Sequence, residues 1–175
     1  SEMTKKLNCD FYIGKIHRLS NRLMNRILLD QEIQDFNGEQ RRILHALWQQ
    51  DRLSQTQLAN KTGLTLNTLT KMLERMMEMN LVERCPHEKD RRRKVICLTD
   101  HSKSLKDDYD RISKEMTEII YQDFSLEEAK DFETCLEKIL LNLERVEKEE
   151  EISENLLQNF IVNFDPNEAK TWQSS

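Results

Sequence analysis

A mainly α chain with a small β wing, arranged as a winged helix-turn-helix between long N- and C-terminal dimerisation helices, is predicted by three observations. Three Gly and two Pro in 175 residues leave few helix breakers, and Leu, Met, Glu and Lys are abundant. Apolar residues recur at three- and four-residue steps over most of the chain. Between Leu53 and Thr99 that pattern gives way to a short helix, a turn at Gly63, a polar-faced helix, and two β-favouring runs around Lys89-Asp90-Arg91-Arg92-Arg93-Lys94.

From Cys9 to about Asp35, Phe11, Tyr12, Ile16, Leu19, Leu23, Ile27 and Leu28 predict one long amphipathic helix, with Arg18, Arg22 and Arg26 between them. Asn37 then offers an N-cap with Gln40 at the capping-box position, opening a helix that buries Ile43, Leu44, Leu47 and Trp48. Ser54 caps a third helix carrying Leu58 and Ala59, which ends at Gly63, where a left-handed residue is least unfavourable. Thr65 caps the fourth. There Leu66, Leu69, Leu73 and Met76 form an inward stripe, while Asn67, Thr68, Thr70, Lys71, Glu74 and Arg75 face outward.

Leu81-Val82 and Val95 to Leu98 are the strands of the wing. Helix resumes from about Asp100 to Gln122, through Leu105, Ile112, Met116, Ile119 and Ile120. Ser125-Leu-Glu-Glu128 is a capping box for a further helix carrying Phe132, Leu136, Ile139, Leu140 and Leu143. A last apolar set, Ile152, Leu156, Leu157, Phe160, Ile161 and Phe164, ends at Asp165-Pro166, and the final residues read as a disordered tail. The expected organisation is an N-terminal dimerisation helix over 3–35, a winged helix-turn-helix over 36–99, dimerisation helices over 100–150, and an extension over 151–175 with a short helix and the tail. Ser1-Glu2 ahead of Met3 reads as a cloning remnant.

The net charge of −5 hides an uneven distribution. Residues 52–106 hold 12 Lys and Arg against 6 Asp and Glu, so a basic middle lies between acidic ends. That is the footprint of a local anion-binding surface such as a DNA interface, rather than of a protein that coats nucleic acid. Cys9, Cys85, Cys97 and Cys135 form no CxxC pair and follow no secretory leader, which predicts reduced thiols in the cytoplasm. No apolar run approaches the roughly 20 residues of a membrane span. No phosphate-cradling glycine loop, nucleophile motif or coherent acid–base pair suggests an enzyme. Cys85, His87 and Glu88 are the only near neighbours suited to a metal, and Pro86 in a wing makes a poor scaffold, so neither metal nor cofactor is expected.

A helix entering the major groove presents its N-terminal end and short polar side chains, which Thr65, Asn67 and Thr68 supply. Asn67 is the candidate adenine reader, because an amide can make a bidentate pair with that base. Lys71 and Arg75, one turn apart, suit phosphate or guanine. The wing tip gathers Lys89, Arg91, Arg92, Arg93 and Lys94, whose guanidiniums suit a narrow minor groove, and Asp90 is the ion-pair partner that orients one of them.

These residues resemble the MarR family of bacterial transcriptional regulators, over roughly Phe36 to Ser102 for the motifs and nearly the whole chain for helix order. The wing pattern Asp-x-Arg and then a strand ending Leu-Thr appears as Asp90-Arg91-Arg92 and Val95-Ile96-Cys97-Leu98-Thr99. The recognition-helix pattern appears as Gly63-Leu64-Thr65-Leu66-Asn67-Thr68-Leu69-Thr70-Lys71. The resemblance implies a homodimer joined by its terminal helices, bound to double-stranded DNA at a pseudo-palindromic operator and acting more often as a repressor. It further implies Arg92 as the minor-groove arginine, Asp90 as its orienting partner, and Thr68, Thr70, Lys71 and Arg75 as major-groove contacts.

Three departures stand out. Asn80 replaces the usual Gly before the first wing strand but can still take the left-handed turn. Asp100-His101-Ser102 lacks the usual Gly after Leu98-Thr99, which unsettles the start of the next helix. Arg93 stands where a small residue is usual.

Members of the family often release DNA on binding a small anion or phenolic compound, or on cysteine oxidation. For a small-molecule effector, Tyr12, His17, Arg18, His45 and Trp48 offer a wall from the first two helices, set against ordinary packing and surface roles. Cys9 begins a helix, where a thiol is more acidic, but Asp10 beside it opposes the thiolate, so an inert cysteine is the simpler reading. The alternative from another class is a winged-helix protein-interaction module without sequence-specific DNA binding, acting through the apolar segment 152–164.

Overall fold

The computed structural model describes residues 1–163. Phe164, Asp165-Pro166 and the tail expected beyond them lie outside the described residues. The elements are α1 (Glu2–Lys6), α2 (Cys9–Asp30), α3 (Gln40–Gln49), α4 (Gln55–Thr62), α5 (Leu66–Glu78), β1 (Val82–Pro86), β2 (Lys94–Leu98), α6 (Asp100–Ser104), α7 (Lys106–Ile120) and α8 (Leu126–Asn163). They form two compact units, Ser1–Ile120 and the segment from Tyr121 onward.

In the first unit, the expected helix from Cys9 stops at Asp30, five residues early. Glu32 takes a left-handed φ of 58°. The Ile33 N–H then donates to Leu28 O (2.8 Å) and the Glu32 N–H to Leu29 O (3.0 Å), which closes the helix with a Schellman turn, and Leu28 and Ile33 pack together in the core. Asn37 caps as expected: its Oδ1 accepts from the Gln40 N–H (2.8 Å), while Gln40 Oε1 accepts from the Asn37 N–H (3.1 Å). Ahead of α2, the short α1 was not foreseen; Ser1 caps it.

The helix-turn-helix follows the sequence closely. Ser54 and Gln57 form a reciprocal capping box, and Gly63 ends α4 at φ 75° with its N–H on Ala59 O (2.8 Å). Thr65 accepts from the Thr68 N–H (3.3 Å) at the start of α5. Leu69, Leu73 and Met76 are fully buried, but Leu66 is 52% exposed and does not belong to the inward stripe. It is the first residue of the helix, where the turn from Gly63 has not yet brought the core beneath it. Asn80 adopts φ 58° and closes α5 through Leu81 N–H to Met76 O (2.9 Å), as an asparagine in place of glycine can.

β1 and β2 pair antiparallel from Val82↔Leu98 to Pro86↔Lys94, and Leu53 bridges to Ile96 on the other edge of β2. The core beneath is built from Met24, Ile43, Leu44, Leu47, Leu58, Leu69, Leu73, Leu81, Ile96 and Ile112, all almost inaccessible to solvent. Each such side chain contributes about 1.5–3 kcal/mol through burial.

The single helix expected from Asp100 is broken into α6 and α7 at Leu105. Thr99 caps α6 while its hydroxyl also donates to Asn80 O (2.7 Å), and the Ser102 hydroxyl donates back to Thr99 O (3.0 Å). These bonds start α6 at Asp100 in spite of the missing glycine. The break follows at Leu105, whose N–H donates to Ser102 O (3.1 Å), an acceptor that Trp48 Nε1 shares (3.3 Å). Ile112 and Met116 are buried as expected, but Ile119 and Ile120 are exposed.

In the second unit, Ser125 and Glu128 form the expected capping box: the Glu128 N–H donates to Ser125 Oγ (3.1 Å) and the Ser125 N–H to Glu128 Oε1 (3.0 Å). α8 then runs 38 residues without interruption, so the segment from 151 to 163 continues the preceding helix rather than forming a short one of its own. No residue between Glu147 and Ile152 is a breaker, and the Glu-rich run there is a good helix former. Phe132, Leu140, Leu143, Val146, Ile152, Leu156 and Leu157 remain exposed along α8.

Candidate nucleic-acid interface

Two surfaces of the first unit carry the chemistry. At the N-terminus of α5, the Thr65 hydroxyl donates to Thr68 Oγ1 (3.1 Å), and Asn67 and Thr68 are both exposed to solvent. Unsatisfied N–H groups at such an end attract phosphate oxygens. Asn67 and Lys71 are exposed one turn apart. Arg75 is exposed but holds Glu78 at 3.1 Å, a surface pair that is easily exchanged for a phosphate.

Thr70 is placed differently from the expectation of an outward contact. It is half-buried, its hydroxyl donates to Leu66 O (2.7 Å), and it accepts from the Gln55 side chain. Its hydroxyl therefore ties α4 to α5.

In the wing, Asp90 Oδ1 accepts from both the backbone N–H and the side-chain Nε of Arg92, each at 3.1 Å. These Arg92 bonds hold the Asp90 carboxyl below the usual carboxylate range. The Arg92 side chain is 92% exposed, so it is oriented at its root and free at its tip. The bulky Arg93 closes the turn through its backbone, its N–H on Asp90 O (3.0 Å) and its carbonyl accepting from the His87 N–H (2.9 Å). Arg91, Arg93 and Lys94 are exposed beside Arg92.

A third feature was missed by the sequence reading. An open cleft of about 510 Å³ is lined by Arg41, Arg42, His45, Ala46, Gln49, Lys61, Thr62 and Tyr109, with no carboxylate among them. The Nε atoms of Arg41 and Arg42 are buried without a hydrogen-bond partner among the described residues. Burial and the neighbouring Arg42 hold Arg41 below its ordinary value. Burial and Arg41 likewise lower His45, so it is neutral near pH 7. Burial raises Tyr109, whose hydroxyl shares a hydrogen bond with His45 Nδ1 (2.6 Å).

Of the five residues expected to form an effector wall, only His45 lines this cleft. Trp48 packs against Tyr109 at a tilt of 40° with centroids 4.6 Å apart and donates to Ser102 O (3.3 Å), a packing role. Tyr12, His17 and Arg18 are exposed on α2, and His17 contacts Asn21 and Glu39. The wall presumed α2 and α3 to share one face, whereas the cleft lies between α3, α4 and α7. Adjacent cations at the start of a helix were its only trace in the sequence.

The thiols and the candidate metal ligands are accounted for separately. Burial, with a bond to Cys85, pushes the Cys97 thiol up to about 12, so it packs rather than reacts. Cys9 is exposed at the first residue of α2. His87 Nδ1 accepts from the Lys89 (3.1 Å) and Asp90 (3.3 Å) N–H groups, Cys85 points to Glu83, and Glu88 pairs with Arg52. No helix among the described residues is long and apolar enough to cross a membrane.

Residues 36–94 match the model of the MarR family. The fold resembles that of a MarR transcriptional regulator from Methanosarcina mazei Go1, at 21% identity, covering 79% of this chain and 97% of that one with a TM-score of 0.68. It also resembles a cysteine-to-serine mutant of MarR from E. coli crystallised with operator DNA, at 20% identity, covering 80% and 99% with a TM-score of 0.66. No curated protein matches the sequence. Residues 36–94 are thus similar to the winged helix-turn-helix of the MarR family, and the helices around them share the fold of solved MarR transcriptional regulators.

Proposed function

We propose that this chain is a dimeric, sequence-specific DNA-binding transcriptional regulator, acting as a repressor. The observation that carries the reading is the pairing of two cationic elements in one unit. One is the free, Thr65-capped end of α5; the other is the wing tip in which Asp90 aims an exposed Arg92. The E. coli MarR of the same fold, solved with operator DNA, supports it.

On this reading α5 enters the major groove. Asn67 reads a base edge there, Thr65 and Thr68 bond phosphate at the helix end, and Lys71 and Arg75 meet phosphate or guanine. Thr70 acts by fixing the angle between α4 and α5. Arg92 enters the minor groove, and Arg91, Arg93 and Lys94 neutralise the flanking phosphates. The exposed apolar residues Phe11, Tyr12, Ile16 and Leu19 of α2, and those along α8, are the surface a second copy covers, since closed two-fold dimers are the commonest solution.

The cleft around Arg41 and Arg42 supports a small anionic effector as the signal, because Arg41, Arg42 and Lys61 line it with no carboxylate to neutralise them.

Lys71→Ala and Arg92→Ala test the interface. Each is expected to weaken operator binding, and loss of one phosphate contact lowers the slope of log affinity against log salt by about 0.9. Unchanged binding in both variants would remove the assigned surface and favour a protein-interaction module.

A further inference from the structure

Arg52 lies in the loop between α3 and α4, outside both elements that the functional reading directs at DNA. Its φ of 61° is left-handed, unfavourable for a residue that carries a side chain, so something in the fold holds it there. Its side chain supplies the reason. Nη2 donates to Pro86 O at the end of β1 (2.5 Å), Nη1 to Cys97 Sγ on β2 (3.7 Å), and Nε lies 3.5 Å from Glu88 Oε1 at the start of the tip loop.

The backbone around Arg52 grips the base of the same hairpin. Asp51 Oδ1 accepts from the Leu98 N–H (2.9 Å) and from the Arg52 N–H (2.8 Å). Leu53 and Ile96 exchange both backbone bonds, at 3.2 and 2.7 Å. Among the described residues, the guanidinium of Arg52 extends this grip from the base of the wing toward its tip. Two strands of five residues are marginally stable without such support. A wing that moved freely would have to be ordered as DNA bound, and that ordering subtracts from affinity.

We infer that Arg52 is a positioning residue for the wing: its guanidinium ties the α3–α4 loop to Pro86, Glu88 and Cys97 and holds the Arg92-bearing tip in place, so operator binding depends on a side chain that contacts no nucleotide. The inference rests on the DNA-binding reading, and its test separates the two. A planar fork that reaches three groups cannot be replaced by a lysine amine. Arg52→Lys is therefore expected to behave like Arg52→Gly, which removes the guanidinium while relieving the left-handed backbone.

The first readout needs no DNA. In full-length Arg52→Gly, the His87 and Arg93 amides, bonded to Arg93 O and Asp90 O in the wild type, should exchange with solvent about tenfold faster, while that of Ile96 stays protected. The second is operator affinity, expected to fall about tenfold in both variants with the salt slope unchanged, because no phosphate contact is removed. Most of that loss should vanish in an Arg92→Ala background, where the tip no longer contributes, and a residue acting only on global stability would not show this coupling.

Unchanged exchange in Arg52→Gly overturns the brace, whatever the protein does with DNA. A salt slope reduced by about one shows that Arg52 itself meets phosphate and overturns the positioning role. Full additivity with Arg92→Ala also overturns it. If the wild type selects no duplex while exchange accelerates as expected, the brace stands and the DNA-binding reading falls.

Discussion

Replacing Gly63 with alanine isolates the geometry on which the helix-turn-helix depends. The residue ends α4 at φ 75°, and a Cβ built on it meets nothing within 4 Å, so the substitution introduces no clash. The penalty is that of the backbone alone, about 1–2 kcal/mol for an L-residue in the left-handed region. The lower entropy of the unfolded alanine chain offsets about 0.4–1 kcal/mol of it. The net loss is roughly 1 kcal/mol, or about 2–4 °C in Tm for a chain of this length. Urea unfolding at fixed protein concentration should show the loss as a lower midpoint with an unchanged m value. Gly63→Asn should lose less, since asparagine tolerates this conformation. Equal stability of Gly63→Ala and wild type would refute the left-handed turn, and a loss above about 3 kcal/mol would refute the open space around it.

Three further outcomes are expected. The Asp90 carboxyl is depressed chiefly by the Arg92 side chain, so the Asp90–Arg92 arrangement is complete above the ordinary carboxylate value of 3.8 and is lost as pH falls through the depressed one. The Arg92 Nε–H resonance should report that transition below pH 3.8, and Asp90→Asn should abolish it. Ending the chain at Glu151 removes Ile152, Leu156 and Leu157 from α8 and should weaken the proposed dimer at least about tenfold in sedimentation; unchanged self-association would assign that segment to another partner. In a Trp172→Phe background, benzoate should alter the emission of Trp48 through its packed neighbour Tyr109, and Arg41→Ala should abolish the response.

Caps and turns were the most legible part of the sequence, because they act over three or four residues. Asn37 with Gln40, Ser54 with Gln57, Ser125 with Glu128, Thr65, Gly63 and Asn80 all perform the roles their chemistry suggests. Left-handed residues without a glycine or asparagine signature were not legible. Glu32 ends α2 early in a local Schellman turn, and Arg52, in the loop between α3 and α4, is held by bonds to the wing. The missing glycine did not unsettle the start of α6, which Thr99 caps at Asp100, whereas the break at Leu105 carried no signal in the sequence.

The candidate interface was readable where side chains point outward from a capped helix or a charged turn. It failed at Leu66 and Thr70, whose surroundings depend on how α4 meets α5. The cationic cleft could not be assembled from sequence, because Arg41, Lys61 and Tyr109 come from three helices far apart in the chain.

Selection of bound duplexes from a random DNA pool, read at two salt concentrations, tests the central claim most directly. The account predicts an enriched inverted repeat with half-sites about one helical turn apart, retained at the higher salt. Sequence-blind binding that disappears at the higher salt would contradict it, leaving a basic patch on a protein-interaction module.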